Sequence, residues 1–129
     1  VLVVDASVIA PAIADGGRDG TRLRQRLRGE QLAAPDLLRI EVLSVIRRQL
    51  ARGRLTSAQA DLAIEELIAL PIRVYPTVAL LRRAWELRDN VTAYDGCYVA
   101  LAETIGCTLV TADARLAHAP GIACATEVP

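Results

Sequence analysis

Residues Val1-Leu2-Val3-Val4 form an unbroken apolar run that stops at Asp5. The run is too short and too uniformly apolar for an amphipathic helix, so it reads as a strand buried on both faces. A strand of that kind needs helices above and below its sheet. The rest of the chain supplies them.

Ala6 to Ile13 reads as a helix that Pro11 bends or interrupts, and Asp15-Gly16-Gly17 as a loop. Arg18 to Arg28 is a very basic second helix anchored only by Leu23 and Leu27 and closed by Gly29. Gln31 to Ala34 is a brief strand leading into Pro35. Asp36 is placed to N-cap a helix that reaches about Arg52 and stops at Gly53. That helix is apolar almost all round, so most of it is expected to be covered. Thr56 or Ser57 caps the next helix, which ends before Pro71. A strand at Ile72 to Tyr75 and a helix at Thr77 to Arg88 follow. Asp95 to Ile105 is a helix closed by Gly106, and Thr108 to Thr111 is a strand. Ala114 to His118 is a helical turn, and Ile122 to Ala125 a last short strand. This alternation predicts one domain over residues 1–129, an α/β three-layer sandwich around a mostly parallel central sheet.

With 53% hydrophobic residues in 129, the chain can bury a real core, and no apolar run reaches the length of a membrane span. Net charge is zero, which neither invites nor excludes a nucleic acid. All 15 basic residues are Arg. The absence of Lys excludes chemistry that requires one, P-loop and receiver-type phosphate chemistry included, whereas Arg donates bidentately to phosphate. Cys97, Cys107 and Cys124 show neither a disulfide framework nor CxxC spacing and read as reduced core thiols of a cytoplasmic protein. His118, outside every motif, reads as a surface helix end, and Trp85 as a core residue.

Four acids stand where an α/β fold would expose them at one sheet edge. Asp5 ends the first strand, Asp113 follows the strand at Thr108 to Thr111, Asp95 opens a helix, and Glu41 lies in the apolar helix after Pro35. Ligands of open parallel sheets bind beyond the carboxyl ends of the strands, near a switch in strand order. Three of the acids have a structural alternative. Asp5 can N-cap the helix from Ala6, Thr92 and Asp95 fit a capping box, and Asp113 can cap the turn that follows it. Glu41 is too far along its helix to cap it. A buried carboxylate needs a cation, here Arg39, Arg48 or a metal. If the fold gathers all four, Mg2+ or Mn2+ is the natural occupant and phosphodiester hydrolysis the natural chemistry.

The segments Val3-Val4-Asp5-Ala6-Ser7-Val8, Ala34-Pro35-Asp36-Leu37-Leu38-Arg39-Ile40-Glu41, Thr92-Ala93-Tyr94-Asp95 with Tyr98-Val99-Ala100-Leu101-Ala102, and Leu109-Val110-Thr111-Ala112-Asp113 carry a resemblance. Their order and spacing resemble PIN domains over nearly the whole chain, most closely the VapC-type ribonuclease toxins of toxin–antitoxin modules. The resemblance implies a catalytic quartet of Asp5, Glu41, Asp95 and Asp113, with Asp5, Asp95 and Asp113 as the metal ligands. It implies Thr111 and Ser7 as supporting hydroxyls. Ser44, also a supporting residue, stands where many relatives carry Asn three residues after the Glu; it can still hydrogen-bond the carboxylate but reaches less far. The resemblance further implies Mg2+-dependent cleavage of RNA in a tRNA or rRNA loop, leaving a 5′-phosphate and a 3′-hydroxyl. A homodimer and inhibition by a cognate VapB-type antitoxin follow from it too.

The apolar helices of Asp36 to Arg52 and Ser57 to Ala69 offer a helix-in-groove surface for that antitoxin. Arg22, Arg26, Arg39 and Arg48 are the candidate contacts to RNA or antitoxin. Neither membrane binding nor DNA binding by this chain alone is expected. The rival readings are a non-catalytic PIN-like RNA- or protein-binding module and a doubly wound Mg2+ phosphatase. The first would be favoured by a missing acid, and none is missing. The second needs a carboxylate where Ser7 stands, and a Lys.

Overall fold

The computed structural model describes residues 1–129. Five parallel strands make its one sheet: β1 (Leu2–Val4), β2 (Leu32–Pro35), β3 (Ile72–Tyr75), β4 (Thr108–Val110) and β5 (Thr126–Glu127), in the order β3-β2-β1-β4-β5. Successive strand residues point to opposite faces. Leu2, Val3 and Val4 are nevertheless all buried, as are Leu109 and Val110, so helices cover the sheet on both sides. The three-layer α/β expectation holds.

The chain first builds outward through β2 to β3 at one edge, then returns to place β4 on the other side of β1. The order therefore switches between β1 and β4, which pair with Val3 opposite Leu109 and Val4 opposite Val110. Asp5 and Thr111 emerge side by side where those two strands end. Along β1, β2 and β4 runs α6 (Ala93–Ile105), whose residues Gly96 to Ala102 are all buried. Thr92 caps its start, and Gly106, in the left-handed conformation (φ 67°), closes it.

The other helices are α1 (Ala6–Ala14), α2 (Arg18–Leu27), α3 (Leu38–Ala51), α4 (Ser57–Ala69), α5 (Leu81–Glu86) and the short α7 (Ala114–Ala117). Pro11 does not break α1, where Val8, Ile9, Ala10 and Ala12 are buried and hold the turn through packing. Thr56 and Gln59 form a capping box at the start of α4. α2 crosses the end of α1 at Gly20. A Cβ there would lie 1.9 Å from the Asp15 carbonyl oxygen and 2.8 Å from that of Pro11. Both obstacles are backbone, so relief requires moving a helix. Gly20→Ala is expected to destabilise the fold by about 3 kcal/mol, the upper part of the usual overpacking cost, read as a lowered urea midpoint.

Five expectations need correction. Asp36 does not cap α3: its N–H bonds Tyr75 O at 2.9 Å, which extends the β2–β3 ladder, and the helix starts only at Leu38. That bond holds Asp36 in the turn just beyond the strand. The last strand is Thr126–Glu127, because Leu109 N–H bonds Ala125 O and Thr111 N–H bonds Glu127 O, while Ile122 to Ala125 only approach the edge. The segment after β3 is a 3-10 turn (Thr77–Leu80) followed by α5, ending at Glu86. Finally, α3 buries one stripe, Leu38, Val42 and Ile46, and leaves Ile40, Leu43 and Leu50 exposed. Trp85 is likewise outside the core, 63% exposed and stacked under the Arg88 guanidinium at 4.6 Å. α5 packs on α6 through Ala84, which turns Trp85 outward.

Candidate active site

The β1–β4 switch point seats the first acid. Asp5 heads α1 with its backbone, its carbonyl accepting Val8 and Ile9 N–H, but its carboxylate does not cap the helix. Instead Ser7 Oγ donates to Oδ1 and Thr111 Oγ1 to Oδ2, each at 2.5 Å. The same two hydroxyls accept backbone N–H groups from the loop beyond β4. Ala112 donates to Ser7 at 2.9 Å and Asp113 to Thr111 at 3.1 Å. Asp5 is thus locked in one orientation, and the loop that carries Asp113 is locked to it.

Asp113 keeps its structural role as well, accepting Arg115 N–H at 2.9 Å as the cap of α7. Thr92 Oγ1 accepts the Asp95 N–H at 3.1 Å, but Asp95 does not return the bond to close a capping box. Its carboxylate is left to face the other acids.

Glu41 departs from expectation twice. Because α3 starts late, Glu41 lies in its first turn. Its partner is neither Arg39 nor Arg48 but the phenolic hydroxyl of Tyr98, which donates to Oε1 at 2.6 Å. Arg39 turns the other way and donates to the carbonyls of Leu67 and Leu70, closing the end of α4. Ser44 is exposed and makes no hydrogen bond to Glu41.

The acids feel one another. Burial raises the Asp5 carboxyl above its ordinary value, the Ser7 and Thr111 hydrogen bonds oppose this, and the Asp95 charge adds to it. Burial raises Glu41 too, against its bond to Tyr98, with Asp95 and Asp5 adding charge. Asp95 is raised by burial and by Asp113, with Thr92 opposing. One electrostatic cluster therefore links all four, strung between two hollows. An open hollow of about 500 Å3 is lined by Arg88, Asn90, Thr92, Asp95, Asp113 and Arg115. A smaller one, about 290 Å3, is lined by Ala6, Ile40, Glu41, Ser44, Arg48 and Tyr94.

No three acidic, His or Cys side chains converge closely enough to enclose a cation. The donor set is oxygen-only and multiply charged, which suits a hard divalent cation with few direct ligands and a retained hydration shell. The residues fit such an ion.

Of the four arginines singled out in the sequence, Arg48 lies beside the acids. Arg22 pairs with Asp19 at the surface, and Arg26 forks onto both Glu127 oxygens and reaches Glu30, tying α2 to β5. Arg88, Arg115 and Tyr98 were not assigned roles from sequence. Arg115, two residues past Asp113, and Tyr98, which opens the segment Tyr98 to Ala102, carried local signals. Cys97 is buried, and the three cysteines are free thiols whose pKa burial raises. His118 closes α7 at the surface, as expected.

The parallel sheet brings acids to its switch point, with Asp5 clamped by Ser7 in the first turn of α1 and by Thr111 at the end of β4, and the PIN domain family matches residues 2–122. The chain belongs to that family. Within it, the chain is 40% identical over 128 residues to ribonuclease VapC9 of Mycobacterium tuberculosis, covering 99% of this chain and 98% of that one. Ribonuclease VapC1 of the same organism is 40% identical over 123 residues, 95% and 92% of the two chains. These matches make it a member of the VapC ribonucleases. The crystal structure of PAE2754 from Pyrobaculum aerophilum superposes with a TM-score of 0.70 at 25% identity, covering 98% of this chain and 83% of that one. That of M. tuberculosis VapC20, a sarcin-ricin loop cleaving toxin, gives 0.72 at 16% identity over 95% and 97%, a likeness of fold.

Proposed function

We propose that this chain is the toxin of a VapC-type toxin–antitoxin pair, an endoribonuclease that hydrolyses RNA phosphodiester bonds at the Asp5–Glu41–Asp95–Asp113 edge. The observation that carries this reading is the double hydroxyl clamp on a buried Asp5, with the pKa values of Asp5, Glu41 and Asp95 raised first by burial and then by neighbouring acids. Asp5, Asp95 and Asp113 would hold Mg2+, or Mn2+ in its place. When bound, such an ion acidifies water and stabilises the charge that develops on phosphorus oxygens. Ser7 and Thr111 hold Asp5 in the orientation that this requires. Glu41 orients the attacking water and takes its proton, acting as general base. Arg88 and Arg115, flanking Asp95 and Asp113, hold the RNA phosphates and offset an acidic edge that would otherwise repel them.

The substrate is an RNA loop, in tRNA or rRNA, whose unstacked bases reach an open edge. A second copy of the chain covers the exposed apolar surface of Val78, Leu81, Trp85 and Tyr94, the last three of which line a hollow of about 610 Å3. The VapB-type antitoxin docks on the α1–α3 groove of about 380 Å3 and on the neighbouring exposed Leu43, Leu50, Leu62 and Ile68. No helix is long and apolar enough to cross a membrane, and the cytoplasm, where the RNA lies, is the working compartment.

The test is cleavage of a small-RNA pool by folded, antitoxin-free protein in Mg2+ or Mn2+, with and without EDTA. Discrete fragments that vanish with EDTA and carry a 5′-phosphate at the cut are the expected result. An intact pool in both metals would replace the nuclease by the non-catalytic binding module.

A further inference from the structure

Tyr98 is buried to 1% exposure on α6, one turn beyond Asp95, and its hydroxyl crosses to α3 to donate to Glu41 Oε1 at 2.6 Å. Glu41 makes no other side-chain hydrogen bond and forms no ion pair. Ser44, one turn further along α3, is exposed and does not reach it. A carboxylate with a single partner and a flexible stem takes its direction from that partner. We infer that Tyr98 is the positioning residue of the site: its hydroxyl, spanning α6 and α3, aims Glu41 at the water and fills the role that an amide three residues after the Glu would otherwise serve. The inference rests on the reading of Glu41 as the water-orienting carboxylate.

The geometry carries two further consequences. The bond joins the helix of Asp95 to the helix of Glu41, so the spacing of those two acids is set by the length of one rigid aromatic side chain. Tyr98 also keeps its proton, because burial and then the Glu41 carboxylate push its phenol well above the ordinary value. It donates and never competes as a base. A Tyr that served only the core would equally well meet a backbone carbonyl or water.

The experiment compares kcat and KM of the parent, Tyr98→Phe, Glu41→Gln, their combination, and Tyr98→Phe with Ser44→Asn. It adds proton NMR of the metal-free protein to find the hydrogen-bonded Tyr98 hydroxyl. Tyr98→Phe removes one oxygen and is expected to lower kcat about 10- to 100-fold, the scale of a misplaced catalytic group, with KM little changed. In the Glu41→Gln background it adds no further loss, and Ser44→Asn, supplying an amide donor at i+3, restores most of the rate. The hydroxyl resonance disappears in Tyr98→Phe and moves in Glu41→Gln. Parent-like kcat in Tyr98→Phe beside an inactive Glu41→Gln would overturn the inference, as would a full additive loss in the double variant. A resonance unmoved by Glu41→Gln overturns it without any Tyr98 variant. An active Glu41→Gln in which the resonance still moves would leave the pairing intact and overturn the role of Glu41 itself.

Discussion

Asp5→Asn is expected to abolish RNA cleavage, with a loss of about 1000-fold or more, while the protein stays folded. The substitution removes one charge from the centre of the acidic cluster and changes no volume. An Asn oxygen still accepts one hydroxyl, so the β1–β4 junction keeps its shape, but the side-chain amide now meets the other hydroxyl donor. Only the hydroxyl that faces the amide rotates to accept from it, while Ser7 and Thr111 go on accepting Ala112 and Asp113 N–H. Metal affinity is lost with the charge.

A second readout separates this from unfolding. Asp5, Glu41 and Asp95 all have folded-state pKa values raised by burial first. Between the unfolded and the raised folded values the native state binds more protons than the unfolded state, so stability falls as pH rises through that window. The metal-free parent therefore loses stability as pH rises from just above the ordinary carboxylate pKa toward neutral, while Glu103 and Glu127, lowered by their arginines, act the other way only at more acid pH. Asp5→Asn removes one of the three contributors and flattens the slope. Thermal melts of parent and variant across that range, in EDTA, check both statements. A parent whose stability rises with pH there would contradict the cluster. Retained cleavage by Asp5→Asn would contradict the site.

Glu41→Gln is expected to lower kcat about 100- to 10,000-fold, the usual worth of a general base, with little change in stability. The Gln carbonyl accepts the Tyr98 hydroxyl in place of Oε1, so the α3–α6 link survives. What disappears is the basic oxygen that takes the water's proton. Because half-buried Glu41 bears a raised pKa, a neutral side chain costs the fold nothing. Single-turnover cleavage rates measure the chemical step directly. A loss confined to KM would assign Glu41 to substrate binding instead.

The positions of three acids were legible because their causes are local. Asp5 and Asp113 stand at the ends of apolar runs that can only be buried strands, and Asp95 follows a helix-capping Thr. Glu41 was legible for a different reason, as a charge within an apolar helix. Its setting was not. Reading α3 from Asp36 placed Glu41 too far along, because the bond from Asp36 to Tyr75 could not be seen within the segment. An apolar helix also says that burial is available, without saying which side is used, so the exposed Ile40, Leu43 and Leu50 were expected inside.

Sequence by itself determined most of the elements and their parallel layering, and which acids stand at strand ends and helix starts, since hydrophobic period, capping chemistry and strand length act over a few neighbouring residues. Tertiary structure alone decided what each charged group meets. Tyr98 reaches Glu41 across 57 residues, Thr111 reaches Asp5 across 106, and Arg26 reaches Glu127 across 101. Arg39, one turn of thought away from Glu41 in sequence, spends its donors on the end of α4. Such pairings depend on where the packed elements bring their side chains, a distance that no local preference encodes.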